Sequence, residues 1–274
     1  MTSPVRRRSG AGSVVGAGAA ALLILFLGLP IAALLVRAAV GGLLPSAAAS
    51  RVILDALALS LGTTLVSLGL AIALGGPLAY LLARRRFRGA ALLEALVDLP
   101  IVLPPAVAGL ALLLVLGRRG WLGGPLDSLG IGIPFTTVAV VLAQTFVAVP
   151  FFVRAARTGF AAIDRDLEDA ARVDGAGERA VLRHITLPLA APALGAGLVM
   201  TWARALGEFG ATIMFAGSIG GRTQTLPLVV YGEFQGGDLD GAIAAAAILV
   251  LAALGVLVAV RGFGWRRALD VRSI

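Results

Sequence analysis

The chain has 274 residues with 59% hydrophobic residues, a mean hydropathy of +0.97 and a formal net charge of +8. Charged residues make up only 14%, against roughly 25% in soluble domains, so a soluble fold is excluded because it could not bury this much apolar surface. The absence of cysteine excludes disulfides, zinc–thiolate sites and thiol catalysis, and arginines placed at the ends of apolar stretches argue against a nucleic-acid-binding face.

Six apolar stretches are long enough to cross a membrane as helices, which takes about 20 residues each. They cover residues 14–40, 52–83, 90–116, 135–153, 189–215 and 243–260. The first is too long for the apolar core of a signal peptide, and the third contains the helix breakers Pro100, Pro104 and Pro105. The sequence therefore predicts an all-α membrane protein with about six transmembrane helices.

Arginine placement predicts the orientation of these helices. With the N-terminus inside, 17 arginines fall in inner segments and 5 in outer segments, while Arg204 lies within the fifth stretch. Because inner loops of membrane proteins carry the excess of basic residues, both termini are expected in the cytoplasm. The protein is then a multi-pass protein of the cell membrane, in contact with the lipid bilayer.

The longest inner segment, residues 154–188, is the most polar part of the chain. Asp164 is placed to cap a helix over residues 166–173, and Gly175 should end it. A second short helix is expected over residues 178–184, with Pro188 marking the start of the next span. The apolar face of the first helix is too small for a core of its own, which leaves two readings: a helix lying on lipid headgroups or a docking element.

Seven residues of this segment form a recognisable spacing: Asp169, Ala170, Ala171, Gly175, Ile185, Leu187 and Pro188. This spacing resembles the EAA loop of ABC importer permeases, whose pattern is EAA, three residues, Gly, nine residues, Ile, one residue and Leu-Pro. The first position departs from the pattern, since it holds Asp169 instead of glutamate, although Glu168 precedes it. The resemblance implies a type I importer fold in which this coupling loop docks on an ATPase subunit.

A second segment, residues 202–231, contains the runs GEFGAT and GRTQTLPL, with Glu208, Phe209, Gly210, Thr212, Thr223, Gln224 and Thr225. These runs resemble permeases for tetrahedral oxyanions, most of all the molybdate/tungstate family. A carboxylate is costly inside a membrane, so Glu208 is expected to pair with Arg204, four residues earlier. We interpret the pair as shaping an outer gate, or as a purely structural ion pair. The threonines and Gln224 would offer weak neutral contacts to a passing anion, or cap turns.

The family resemblance implies a transport subunit for molybdate, with tungstate or sulfate/thiosulfate as alternatives. Residues 1–50 would form the N-terminal tail and first helix, 51–262 the permease core and 263–274 the cytoplasmic tail. The implied partners are ATP-binding cassette ATPase subunits, an extracytoplasmic oxyanion-binding protein and a second copy of the chain, with no nucleic acid. Because a P-loop requires lysine and this chain has none, ATP and Mg²⁺ are expected on the ATPase, with no catalytic residue, metal or cofactor here.

Two other classes of function remain open. An ion-coupled secondary transporter would carry several acids or a histidine in its spans, where Glu208 is the main candidate. An intramembrane enzyme is disfavoured because the sequence has no cysteine nucleophile, its one histidine lies in a loop and its spans show no paired carboxylates. For three other polar residues we expect only a position. His184 should be an exposed contact in the loop, Asp98 should lie near a helix break, and Asp55 should lie at the membrane interface.

Overall fold

The computed structural model describes residues 10–85 and 87–270, with side chains from residue 15 to residue 260 apart from residue 86. Every regular element in these ranges is a helix. In chain order they are α1 (Gly10–Val40), α2 (Leu43–Ala49), α3 (Arg51–Arg84), α4 (Ala90–Val102), α5 (Pro105–Leu116), α6 (Gly123–Ser128), α7 (Thr137–Ala161), α8 (Arg165–Val173), α9 (Glu178–Leu206), α10 (Gly210–Phe215), α11 (Leu226–Gln235) and α12 (Leu239–Asp270). The outermost parts of the two predicted tails, residues 1–9 and 271–274, and Arg86 of the first inner loop lie outside the described residues.

Five of these helices are long and apolar enough to cross a membrane, and the bent pair α4–α5 gives a sixth crossing if it counts as one span. The five are α1, α3, α7, α9 and α12, whose apolar cores match the predicted stretches. An all-α membrane fold with about six spans is thus confirmed.

The predicted third span is not one helix, since α4 and α5 meet at an angle of 117°. The bend lies at Leu103 and Pro104, which both adopt extended backbone (ψ 134° and 133°). A residue that precedes a proline is driven out of the helical region, and the Pro104-Pro105 pair applies this restraint to both. Pro100, by contrast, stays inside α4, so Asp98 lies within a helix and not at the break.

The fifth span differs from its prediction at both ends. It begins at Glu178, so the short helix expected over residues 178–184 is continuous with the span, and it ends at Leu206. A π-helical turn over Leu182–Thr186 precedes Pro188. This wider turn lets the chain accept a residue without an N–H group and remain helical. The predicted end of this span, residues 210–215, forms the separate helix α10.

Two further boundaries are corrected. Helix α7 runs to Ala161 instead of ending near residue 153, because Arg154 and Arg157 pair with Asp98 and Glu94 of α4 at 3.1 and 2.8 Å. The predicted outer loop over residues 217–237 contains α11, whose Leu226–Val229 turn is buried against α3 and α12.

Close packing of α7 against α9 fixes the register of the bundle. A Cβ atom added to Gly159 would lie 2.5 Å from Ala193 Cβ, and one added to Gly197 would lie 2.8 Å from Ala155 Cβ. These glycines let two antiparallel helices approach closely, as small residues do in membrane bundles. Because both helices rise equally per residue, Arg204 lies level with about residue 148, near the midpoint of α7.

Candidate functional site

The inner loop folds around helix α8 in the manner that its sequence predicts. Asp164 caps the helix by accepting a hydrogen bond from the Asp166 amide at 3.0 Å. At the other end, Gly175 has φ 91°, a left-handed conformation that suits glycine. The Ala176 amide then donates to the Ala171 carbonyl at 2.9 Å. Cap and turn hold α8 as a defined helix between two membrane helices.

Glu168 anchors this helix to the membrane bundle. Its Oε1 accepts hydrogen bonds from Arg84 Nη2 at 2.7 Å and from the Thr186 hydroxyl at 2.6 Å. The Arg84 and Glu168 side chains are 9% and 5% exposed. One buried carboxylate therefore ties α8 to the end of α3 and to the π turn of α9.

The opposite side of α8 is exposed and carries three apolar residues around the acid Asp166. Leu167 is 51% exposed and Val173 is 87% exposed, and Ala170 is exposed as well, while Ala171 is half-buried. We call Leu167, Ala170 and Val173 the apolar face of α8. A short helix that turns Glu168 inward and its aliphatic residues outward presents an exposed surface that a protein partner could cover.

Asp169, the first residue of the EAA-like pattern, lies on the exposed side and belongs to a small surface ion network. Its carboxylate pairs with Arg172 at 2.6 Å, and Arg172 also pairs with Glu178 at 2.7 Å. The hydrogen bond that Arg172 donates to Glu178, followed by the one it donates to Asp169, raises the pKa of the Arg172 guanidinium. The network connects the end of α8 to the start of α9.

The remaining residues of the pattern lie along the start of α9. Ile185 is half-buried, Leu187 is 40% exposed and Pro188 is exposed. His184 is exposed, as expected, with Nδ1 3.0 Å from the Ala180 carbonyl oxygen. Thus the structure brings Glu168 and the π turn together, and leaves most residues of the EAA-like pattern on the surface of the loop.

The break after α9 is organised by Glu208. Its Oε2 lies 2.6 Å from Arg204 Nη1, and its Oε1 accepts a hydrogen bond from the Ala211 amide at 2.7 Å. Glu208 is 1% exposed. The predicted pair thus exists, and the same carboxylate caps α10. The register with α7 places this break near the middle of the bundle, deeper than the outer gate that the sequence suggested.

Helix α10 is packed tightly onto α5, the helix that follows the 117° bend. A Cβ atom on Gly109 would lie 2.6 Å from the Ala211 carbonyl oxygen, and one on Gly210 would lie 2.8 Å from Pro105 Cβ. Phe209 packs against Tyr231, with ring centroids 4.8 Å apart. The two broken segments of the chain therefore contact each other backbone to backbone.

The polar side chains in α10 and in the segment that follows it are mostly enclosed. Thr212, Thr223 and Thr225 are at most 1% exposed, and Gln224 is half-buried. The Thr223 hydroxyl accepts a hydrogen bond from the Ile219 amide at 2.9 Å, which is the turn-capping role weighed for it. The Thr212 and Thr225 hydroxyls have no hydrogen-bond partner among the described residues.

Several buried polar residues were not singled out from the sequence. Arg84 entered only the arginine tally, and nothing in the local pattern links it or Thr186 to Glu168. A row on α3 was detectable, because Ser60, Thr63, Thr64 and Ser67 share one face at helical spacing and are all buried. Ser60 accepts a hydrogen bond from the Leu226 amide at 2.8 Å, and the Ser67 hydroxyl lies 3.2 Å from Gln144 Oε1.

Comparison with known proteins gives consistent matches. The family model described as "Binding-protein-dependent transport system inner membrane component" matches residues 75–266. The chain is 45% identical over 205 residues to the molybdenum transport system permease protein ModB of Mycobacterium tuberculosis, covering 75% of this chain and 77% of that protein. It is 42% identical over 247 residues to a probable molybdenum ABC transporter permease protein of Haloferax volcanii, covering 89% and 88%.

The fold also matches that of a solved transporter. The crystal structure of a bacterial alginate ABC transporter, solved with an alginate pentasaccharide-bound periplasmic protein, superposes with a TM-score of 0.72. The match covers 92% of this chain and 94% of that chain at 18% sequence identity. At this identity the likeness concerns the fold alone.

Proposed function

Because the chain belongs to the family of binding-protein-dependent transport system inner membrane components and is the permease subunit of an ABC importer, we propose that it carries molybdate across the membrane. The relatives named for molybdenum transport support this cargo over sulfate or tungstate. The orientation that we propose has both termini in the cytoplasm, as the distribution of arginines favours.

The observation that carries the proposed mechanism is the arrangement of α8. Its Glu168 is bound inward to Arg84 and Thr186, while Leu167 and Val173 are exposed. We propose that the apolar face of α8 docks on an ATP-binding cassette ATPase. Lipid headgroups are a poorer partner, because the segment from Asp164 to Asp174 has five acids and only two arginines. One of these, Arg172, is already paired with Asp169 and Glu178.

Energy has to come from outside this chain. A dianion that enters against an inside-negative potential requires about 2.3 kcal/mol per charge per 100 mV, hence roughly 5 kcal/mol. The chain contains no lysine and so has no ordinary phosphate-binding loop of its own. We propose that ATP and Mg²⁺ bind to the ATPase partner, and that the Glu168 anchor transmits its motion to α3 and α9.

The path for the anion is proposed to run past the break after α9. Arg204 and Glu208 lie near the middle of the bundle, where transporters commonly place discontinuous helices and their cargo sites. The Arg204 side chain is 27% exposed, so it can contact an anion while Glu208 limits the strength of that contact. A second copy of the chain would complete the path, and an extracytoplasmic binding protein would deliver the oxyanion.

Uptake of labelled molybdate by cells that carry the whole transporter tests the cargo. Excess unlabelled molybdate should abolish uptake, tungstate should compete partially, and equimolar sulfate should compete weakly. Equal competition by sulfate would reject molybdate as the preferred cargo.

Purification tests the partner. A tagged chain should retain a nucleotide-binding subunit, and the variant Val173→Asp should lose it while folding normally. Uptake that depends on a proton or sodium gradient, with no bound ATPase, would instead favour an ion-coupled carrier.

A further inference from the structure

A cavity of about 500 Å³ lies where the cytoplasmic ends of the bundle meet α8. It is enclosed by the end of α3, the start of α4, the end of α7 and the first residue of α8. Four arginines and one acid supply its charged lining: Arg84, Arg85, Arg157, Arg165 and Glu94. The charged lining of the cavity is therefore mainly positive. None of these residues belongs to the proposed transport path.

Two of the arginines have no acidic partner among the described residues. Arg157 pairs with Glu94 at 2.8 Å and Arg84 pairs with Glu168 at 2.7 Å. Arg165, by contrast, donates to the Arg84 carbonyl oxygen at 3.2 Å, and Arg85 forms no ion pair in the described part of the chain. Two guanidinium groups thus face one cavity without a compensating carboxylate.

A buried donor without an acceptor points the same way. The Arg84 side chain is 9% exposed, yet its Nε–H group has no hydrogen-bond partner among the described residues. A buried polar group is rarely left without a hydrogen-bond partner. Because Arg84 also lines the cavity, an anion held there by Arg85 and Arg165 would oppose the positive charge of this incompletely paired guanidinium.

From these observations we infer that the cavity binds a phosphate-class oxyanion. Arginine binds phosphate oxygens in a bidentate manner, and basic pockets between membrane helices on the cytoplasmic side bind anionic headgroups. The rest of the lining is apolar and includes Leu82, Phe87 and Ala90, which suits the glycerol and upper acyl region of a lipid. The oxyanion is either the phosphate of an anionic lipid or free phosphate from the cytoplasm.

An oxyanion bound in this cavity would act on the coupling loop and not on the cargo. Arg165 is the first residue of α8, and Arg84 holds Glu168. An anion held by both would connect α8 to the end of α3 through a second bridge. Its binding should therefore stabilise the folded loop, since a ligand that binds only the native state raises stability.

Thermal unfolding of the full-length chain in lipid nanodiscs tests this site. We expect nanodiscs of phosphatidylglycerol and phosphatidylcholine to raise the Tm of the wild type by roughly 5 °C over phosphatidylcholine alone. The variants Arg85→Gln and Arg165→Gln should lose at least half of this rise. Arg88→Gln is the matched control, because Arg88 is exposed in the same inner loop and does not line the cavity.

A second arm separates the two sources of the oxyanion. Inorganic phosphate added to pure phosphatidylcholine nanodiscs should leave the Tm unchanged if a lipid occupies the site. A rise with phosphate that Arg85→Gln abolishes identifies a free anion in the same cavity. The inference is overturned if neither addition raises the Tm, or if Arg88→Gln removes the rise as fully as the cavity variants do.

Discussion

Replacement of Glu168 by glutamine tests whether one buried carboxylate couples α8 to the membrane helices. Glutamine keeps the shape of the side chain and an oxygen acceptor for Thr186. It removes the negative charge that lies 2.7 Å from Arg84. The Arg84 guanidinium, 9% exposed, would then be a buried charge without an opposite charge beside it.

The size of the effect follows from this burial. Removal of one partner from a buried ion pair lowers the free energy of unfolding by about 3–5 kcal/mol. We expect about 3 kcal/mol for Glu168→Gln, because the amide retains an oxygen acceptor. That loss reduces the ratio of folded to unfolded protein roughly 150-fold and lowers Tm by roughly 6–12 °C. Asp169→Asn is the matched control, since Asp169 is 67% exposed and exposed pairs contribute about 0–1 kcal/mol.

A double-mutant cycle supplies the decisive assay. Unfolding of Glu168→Gln, Arg84→Gln and the double variant is measured in nanodiscs, and molybdate uptake per ATP hydrolysed is measured in the assembled transporter. The double variant should be more stable than the sum of the single losses predicts, and uptake per ATP should fall in both single variants. If the single effects add to within about 0.5 kcal/mol, or if Asp169→Asn costs as much, the pair is not the anchor that we describe.

Three further substitutions test separate parts of the structure. Gly109→Ala should lower stability by about 1–3 kcal/mol in a thermal melt, since its Cβ would lie 2.6 Å from the backbone oxygen of Ala211; an unchanged Tm would mean that α5 and α10 are not in contact. Val173→Asp should leave stability within about 0.5 kcal/mol and weaken ATPase association about tenfold or more in a pull-down titration, and full binding would rule out the apolar face of α8 as the docking surface. Arg204→Gln should lower molybdate uptake about tenfold, or ~1.4 kcal/mol, as should Glu208→Gln; intact uptake and ATPase coupling in both variants would remove the gate role.

The transmembrane architecture was largely predictable because hydrophobic length is a local property. The apolar stretches predicted α1, α3, α7, α9 and α12, and the Asp164 cap and Gly175 turn predicted α8 to within a residue. The predicted helix ends were wrong where a contact with another helix changes the free energy of continuing the helix. In the sequence, Arg154 marks the end of an apolar stretch. In the structure, α7 continues past Arg154, which pairs with Asp98 of α4.

The candidate site was predictable only in part, and for the same reason. Arg204 and Glu208 are close in sequence, so their pairing could be inferred from helical spacing. Arg84 and Glu168 are 84 residues apart, and only the folded chain brings them together. Motif matching drew attention to Asp169, whereas the buried carboxylate belongs to its neighbour Glu168.

The two spans that Glu168 joins share an irregularity that bears on how the anchor works. Helix α3 contains a π turn over Ala71–Gly75 followed by Pro77, and α9 contains one over Leu182–Thr186 followed by Pro188. A π turn and a proline both interrupt the regular hydrogen-bond ladder, so bending is easier there than in a continuous α-helix. Thr186, which holds Glu168, lies within the second of these turns. A pull on α8 is therefore applied at a point where α9 can bend, and in α3 it passes from Arg84 to a comparable point about two turns away. The ends of both spans can thus follow α8 while their outer halves stay packed, which is the mechanical requirement for a coupling loop that switches a membrane path.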